Sequence, residues 1–213
     1  MVSIEKENEI KKEIAYFMKR SYSKGLTTST GGNISKRDGE YMYITCSSKD
    51  KASLEDKDIA KVSIATGENL TPELKLSIES DMHRFIYQRR KDVEAIVHLH
   101  PTFACLFSAS DIKIDTTLIA ESWYLLDVVE KIPYERMGTK ELANAVSNYF
   151  ANRENHYAAL LESHGAISVG KNLLSAFDRM ECLEQAAKMS AFSNLVKANG
   201  LSNERLDAIA RMR

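Results

Sequence analysis

The heptapeptide Ala95-Ile96-Val97-His98-Leu99-His100-Pro101 puts two of the chain's five histidines at alternate positions directly after an apolar run. Residues two apart on a β-strand project to one face, so His98 and His100 point the same way and Leu99 points into the core. Neutral imidazole is a zinc ligand, and two of them on one strand face can hold one ion. Pro101 cannot continue a central strand, which places the pair at a strand end, where sheets carry their sites. A hydrogen-bonded histidine pair is the plain alternative, but HxH after an apolar run favours metal. Further ligands have two possible sources. His164, in Ser163-His164-Gly165, follows the apolar segment AALLE (158–162), and Gly165 permits a close backbone turn. Glu79 and His83, four apart, share one helical face. Spacing does not choose between His83 and His164. His156, in the polar run NRENH, reads as a solvated loop residue.

A second constellation suits an anion. In Thr30-Gly31-Gly32-Asn33 the adjacent glycines allow successive backbone N–H groups to point inward. Ser47-Ser48 and Ser77 add hydroxyls, and Ser77 stands just before a helix N-terminus, the end that favours phosphate. The same glycines also suit a plain turn. Asp178, Glu181 and Glu184 read as a salt-bridged helix face, and Trp123 and Tyr124 as packing.

The elements that must position these groups follow from periodicity. A first helix is expected from an N-cap at Ser3 to about Gly25, with Ile10, Ile14, Phe17 and Met18 on one face. TTSTGGNIS reads as a loop and YMYIT (41–45) as a strand. LEDKDIAKVSI reads as a short polar helix running into a strand that ends at the turn Thr66-Gly67-Glu68-Asn69. Glu79 to Arg90 is a helix burying Met82, Phe85 and Ile86, Val93 to His100 a strand, and Thr102 to Ser108 a short helix. Gly138-Thr139 opens a helix carrying Leu142, Val146, Tyr149 and Phe150, ahead of the strand AALLE. After Gly170 a long helix aligns Leu173, Phe177, Met180, Leu183 and Ala187, and ERLDAIARMR forms a last short helix with basic residues in its final turn. Interleaved helices and strands give an α/β or mixed-sheet class.

Composition narrows the function. The 213 residues are most simply a single domain, 1–213. Twenty-nine basic against 30 acidic residues leave no basic field to attract nucleic acid. No apolar run is long enough for a bilayer, and the N-terminus lacks a signal peptide's apolar centre. Cys46, Cys105 and Cys182 are widely spaced and odd in number, which argues for free thiols in a reducing cytoplasm.

Taken in order, GGNIS, SIESDMH, AIVHLHP, GTKELA and SHGAISVGKNL resemble the class II aldolase/adducin family over about residues 8 to 195, and the chain length suits its L-fuculose-1-phosphate aldolase branch. The resemblance implies a three-layer α/β/α fold with a central, mostly antiparallel mixed sheet. It implies one zinc ion held by His98, His100 and His164, so the position of His83 is not a ligand. Glu79 is implied as general acid/base, and as a metal ligand when substrate is absent. Gly32, Asn33, Ser47, Ser48 and Ser77 match positions that hold the substrate phosphate. The implied reaction cleaves a ketose 1-phosphate to dihydroxyacetone phosphate and a small aldehyde such as lactaldehyde, through a zinc-stabilised enediolate. A homotetramer with active sites at subunit interfaces is implied as well. Relatives in the family run 4-epimerase, methylthioribulose-1-phosphate dehydratase or decarboxylase chemistry, and the adducin head is non-catalytic, predicting lost ligands that this chain retains. Two departures stand out. Thr45-Cys46-Ser47-Ser48 replaces a family Thr-Pro-Ser/Thr-Gly, and Ile78 replaces a serine, leaving only its backbone N–H. Tyr124 has no clear counterpart to the family's tyrosine proton donor.

Overall fold

The computed structural model describes residues 4–153 and 155–212. Among these, seven strands form one sheet: β1 (Asn33–Asp38), β2 (Tyr41–Thr45), β3 (Ile59–Ser63), β4 (Ala95–Leu99), β5 (Glu130–Ile132), β6 (Ala158–Leu161) and β7 (Gly165–Gly170). Their order is β3-β2-β1-β4-β7-β6-β5. Every neighbouring pair is antiparallel except β5–β6, so the sheet is mixed and mostly antiparallel.

Helices cover both faces, and the strands sort their side chains between them. One face buries α1 (Ile4–Ser23), α3 (Thr102–Ser108) and α6 (Leu173–Ser193) against Ile34, Tyr43, Ala95, Val97 and Leu99. The other buries α2 (Ser80–Arg89) and α5 (Lys140–Ala151) against Met42, Ile44, Ile96, Ile167 and Val169. Period-two alternation in β4 therefore sends Leu99 to the α6 side and His98, with Ile96, to the α2 side. The long-helix stripe is as expected: Leu173, Phe177, Met180, Leu183 and Ala187 are all buried. Asn172 caps that helix by accepting from Ser175 N–H at 2.8 Å.

Several sequence expectations need correction. The proposed N-cap Ser3 lies outside the described residues. The presumed loop TTSTGGNIS ends early, because Asn33 already begins β1. NISKRD looks too polar for an interior strand, yet it pairs with β2 on one side and β4 on the other. Its charges are met by neighbouring elements: Lys36 pairs with Glu13 and Asp38 with Lys6, each at 2.6 Å, and Arg37 donates to the Tyr87 carbonyl. Strands β5 and β7 and the helix α4 (Ala120–Leu126) were not foreseen either. Trp123, on α4, donates through its indole to the Leu206 carbonyl of α7 (Asn203–Ala210) at 3.0 Å, which makes it a packing residue. Helix α7 carries no basic residue in its last turn, since Arg211 is the residue after its end. Glu181 forms the expected ion pairs, with Arg20 and Lys24. Glu184 does something else: it accepts from the N–H groups of Phe103 and Ala104, capping α3. His156 is not simply solvated, for its Nδ1 lies 2.8 Å from the Tyr149 hydroxyl.

Glu7 ties α1 to the sheet, with Lys61 at 2.6 Å, Lys11 at 2.8 Å and the Tyr43 hydroxyl at 3.1 Å. Burial raises its pKa, but the bonds from Lys11 and Lys61 outweigh this and bring it from the ordinary 4.5 to about 2. A depressed folded-state pKa gives stability that is fully present above 4.5 and is lost as pH falls toward 2. Glu7→Gln is therefore expected to lower stability at pH 7 and to flatten its decline in that acid window. Urea denaturation at stepped pH reads both effects, and an unchanged acid slope would contradict the assignment.

Candidate metal centre and adjoining cleft

His98 is the last but one residue of β4, fully buried, and faces Ile167 of β7 across the sheet register. Its Nδ1 lies 2.9 Å from the Ala166 carbonyl oxygen. A carbonyl only accepts, so Nδ1 carries the proton and the Nε2 lone pair of the neutral ring is directed into the site. His100 sits just beyond the strand, where Pro101 turns the chain into α3. Its Nε2 is 3.3 Å from that of His98. His164 comes from the tight β6–β7 connection, where Ser163 adopts φ 52° and His164 N–H donates to the Leu161 carbonyl. One ligand atom from each of the three histidines lies within 4.8 Å of the others.

Glu79 immediately precedes α2 and is 6% exposed. Its Oε2 is 3.2 Å from His98 Nε2, and its Oε1 is 3.1 Å from His164 Nε2. The second contact is close but not aligned as a hydrogen bond, which leaves Oε1 buried and without a hydrogen-bond partner. Burial raises the Glu79 pKa, but the neighbouring His98 and His164 hold it well below the carboxylate range. Burial lowers His98, yet Glu79 raises it overall. His100 falls to about 3, through burial first and then the charges of His98 and His164. The centre thus presents acceptors that converge faster than protons are available to separate them.

That donor set fits a metal ion. Zn–N bonds of about 2.0–2.1 Å in tetrahedral geometry require nitrogens about 3.4 Å apart, and His98 and His100 are 3.3 Å apart. The orphaned Glu79 oxygen supplies a further donor. His83, the alternative ligand, is elsewhere: its Nδ1 is 2.7 Å from Ser35 Oγ, which is 2.9 Å from the Tyr87 hydroxyl.

Two glycines make room for His100. A Cβ on Gly165 would stand 2.6 Å from His100 Cδ2 and 2.7 Å from the Leu99 carbonyl oxygen. A Cβ on Gly31 would stand 2.9 Å from His100 Nδ1. Gly165 thus serves His100 more than His164, beside which it stands in sequence.

A small cleft of about 180 Å³ opens beside the centre, reached by Glu79, His100 and His164. Gly32, Asn33, Ser47 and Ser77 line it. Asn33 Nδ2 donates to Ser77 Oγ at 3.1 Å and to Glu79 Oε2 at 2.9 Å, linking this wall to the acid. Ser47 N–H donates to the Lys75 carbonyl at 2.9 Å, fastening the 45–48 turn to the segment before Ser77. Ser48 is exposed and stands outside the lining, and among the described residues its side chain hydrogen-bonds the neighbouring Ser47 hydroxyl, at 3.3 Å. Its φ is 60°, so the left-handed backbone that suits glycine persists although the residue is serine. The reading of residues overlooked Cys46, Lys51 and Met137, which also line the cleft. The only signal for Lys51 was its place four residues after Ser47, in a run polar enough to pass for surface.

Residues 12–191 match the model of the Class II Aldolase and Adducin N-terminal domain. The chain belongs to this family. An L-fuculose phosphate aldolase of Methanococcus maripaludis (strain C7) is 31% identical, covering 83% of this chain and 93% of that protein. A 5-deoxy-D-ribulose 1-phosphate aldolase of Bacillus thuringiensis is 33% identical over 87% of this chain and 84% of its own length. A solved L-fuculose 1-phosphate aldolase superposes with a TM-score of 0.85 at 29% identity, covering 100% of this chain and 97% of the other. The family also holds other activities: a 3-oxo-tetronate 4-phosphate decarboxylase of Haemophilus influenzae is 32% identical over 84% of this chain and 85% of that one. The chain is accordingly an enzyme of the class II aldolase superfamily, with the expected fold. Among the described residues no helix is long and apolar enough to cross a membrane.

Two substitutions test this geometry. Gly165→Ala is expected to weaken divalent-metal binding by about 10–100-fold, and to cost about 1–3 kcal/mol of stability through overpacking. Competition with a chromogenic chelator and urea denaturation measure the two, and unaltered affinity would mean that His100 is not confined by Gly165. Ser48→Gly is expected to stabilise by about 1 kcal/mol by relieving a left-handed serine, raising Tm by about 2–4 °C. A lower Tm would show that the serine side chain contributes more than the backbone strain costs.

Proposed function

We propose that this enzyme is a zinc-dependent aldolase that cleaves a ketose 1-phosphate between C3 and C4, releasing dihydroxyacetone phosphate and a small aldehyde such as lactaldehyde. The observation that carries the reading is the meeting of two walls in one cleft. Glu79, His100 and His164, backed by the fully buried His98, form one, and Gly32, Asn33, Ser47 and Ser77 form the other. His98, His100 and His164 would hold the metal, with Glu79 joining them when substrate is absent. When bound, the ion supplies Lewis-acid stabilisation of the negative charge left as the C3–C4 bond breaks.

The protein's own groups do the rest. Glu79 carries a proton to or from the reacting carbon, a general acid/base role that its position against His98 and His164 supports. Asn33 orients that carboxylate through its 2.9 Å bond to Oε2. Backbone N–H groups of the Gly31-Gly32 loop, with Ser47 and Ser77 and a lesser part for Ser48, bind the phosphate and set the distance from it to the metal. Residues 1–213 act as one domain, in the cytoplasm, where Cys46, Cys105 and Cys182 stay as free thiols. Ile78 and Met137, 56% and 62% exposed beside the cleft, support assembly of a homotetramer with its sites at subunit interfaces. Light scattering behind size exclusion is expected to give four times the 24.0 kDa chain mass; a monomer would refute the assembly.

A second reading keeps the metal and changes the reaction, and the decarboxylase relative favours holding it open. Epimerisation, dehydration and decarboxylation would use the same centre on a different sugar phosphate.

The test is a coupled assay for dihydroxyacetone phosphate over a panel of ketose 1-phosphates, with bound zinc quantified. Wild type is expected to release it. Glu79→Gln is expected to keep zinc and lose about 100-fold or more in kcat, and His98→Ala to lose both zinc and activity. A zinc-replete wild type that releases none would eliminate the aldolase reading, and product masses would then separate the alternatives.

A further inference from the structure

The cleft contains a cation that the reaction scheme above does not use. Lys51 lines it together with Gly32, Asn33, Ser47 and Ser77, and is 1% exposed. An ammonium carries three N–H donors, yet among the described residues Lys51 Nζ makes one long hydrogen bond, to the Cys46 carbonyl oxygen at 3.4 Å. Asp58, whose charge acts on Lys51 through space, is already occupied. It pairs with Lys49 at 2.9 Å and accepts from Glu55 N–H at 3.1 Å. The lysine's backbone is fixed too, since its N–H donates to the Ser29 carbonyl at 2.8 Å and so ties the 46–51 turn to the glycine loop. A charge buried with two donors unused is unfavourable for the fold alone. Such a group is retained at low cost only where an anion meets it in the working state.

We propose that Lys51 is the charged contact for the phosphate of the substrate, and that it sets the enzyme's preference for phosphorylated over unphosphorylated sugars. The inference rests on the reading of this cleft as a sugar-phosphate site. Gly31-Gly32, Ser47 and Ser77 offer neutral donors; Lys51 adds the positive charge that distinguishes a phosphate dianion from a hydroxyl. Burial lowers the lysine's pKa, and a bound dianion would restore its hold on the proton.

The experiment compares zinc-loaded wild type with Lys51→Met, of similar length and uncharged, and Lys51→Gln, which keeps a donor. Calorimetry with inorganic phosphate is expected to show Kd raised at least tenfold in both variants. KM for the ketose 1-phosphate that wild type turns over is expected to rise by a similar factor, with kcat changed far less. Without phosphate, Lys51→Met is expected to melt no lower than wild type, whereas a lysine that merely supported the fold would lower Tm. Unchanged phosphate affinity would overturn the proposal, as would loss of folding in both variants. Lysine-dependent phosphate binding by a protein that releases no dihydroxyacetone phosphate would sink the aldolase reading and leave this inference standing. An active aldolase indifferent to Lys51→Met would do the reverse.

Discussion

Three imidazole nitrogens and a carboxylate aimed at one point repel one another unless a cation or protons lie between them. Every feature around the centre can be understood as the means of holding that arrangement anyway. Proton sharing relieves it only in part: Glu79 raises the pKa of His98 against the effect of burial, while burial and the neighbouring imidazoles lower that of His100. A divalent ion would meet all of the donors at once, and His98 and His100 already stand 3.3 Å apart, as such coordination requires.

The sheet supplies the rigidity. Register places Asn33 of β1 opposite His98 of β4, and His98 opposite Ile167 of β7. The His98 ring is held by its full burial and by the 2.9 Å contact of Nδ1 with the Ala166 carbonyl oxygen, while the strands on both sides of β4 fix its backbone. His100 lies beyond that ladder and is confined differently, between two positions where any side chain would collide with its ring. Glu79 and His164 arrive from a helix start and a turn, their backbone N–H groups donating to the Ser77 hydroxyl and the Leu161 carbonyl, while Asn33 donates to the Glu79 carboxylate. The buried His83 and Tyr87 of α2 both meet the Ser35 hydroxyl of β1, joining that helix to the sheet.

The cleft joins two kinds of recognition that need not change together. The histidine wall suits any substrate that develops negative charge on oxygen beside the reacting carbon. The opposite wall, with its glycine loop, hydroxyls and buried lysine, suits a phosphate. An aldolase and a decarboxylase of the family are nearly equally similar to this chain, at 33% and 32% identity.

Most of the helices, the strand of the HxH pair and the alternation that turns His98 and His100 to one face were legible in the sequence, because periods of 3.6 and 2 are local properties. The ligand choice was not legible from spacing: His83 and His164 were equal until family resemblance separated them, and in space only His164 stands with the pair. NISKRD gave no strand signal, since its polar residues are satisfied by α1 and α2, segments remote in the chain. Nor could any local rule show that Gly165 accommodates His100, that Ser48 keeps a glycine's backbone, or that Lys51 is buried beside the glycine loop. The sequence by itself determined a set of candidate side chains for chemistry and which faces are apolar. Tertiary structure alone decided which of them meet, because burial and lone-pair convergence belong to pairs of distant segments and not to any one of them.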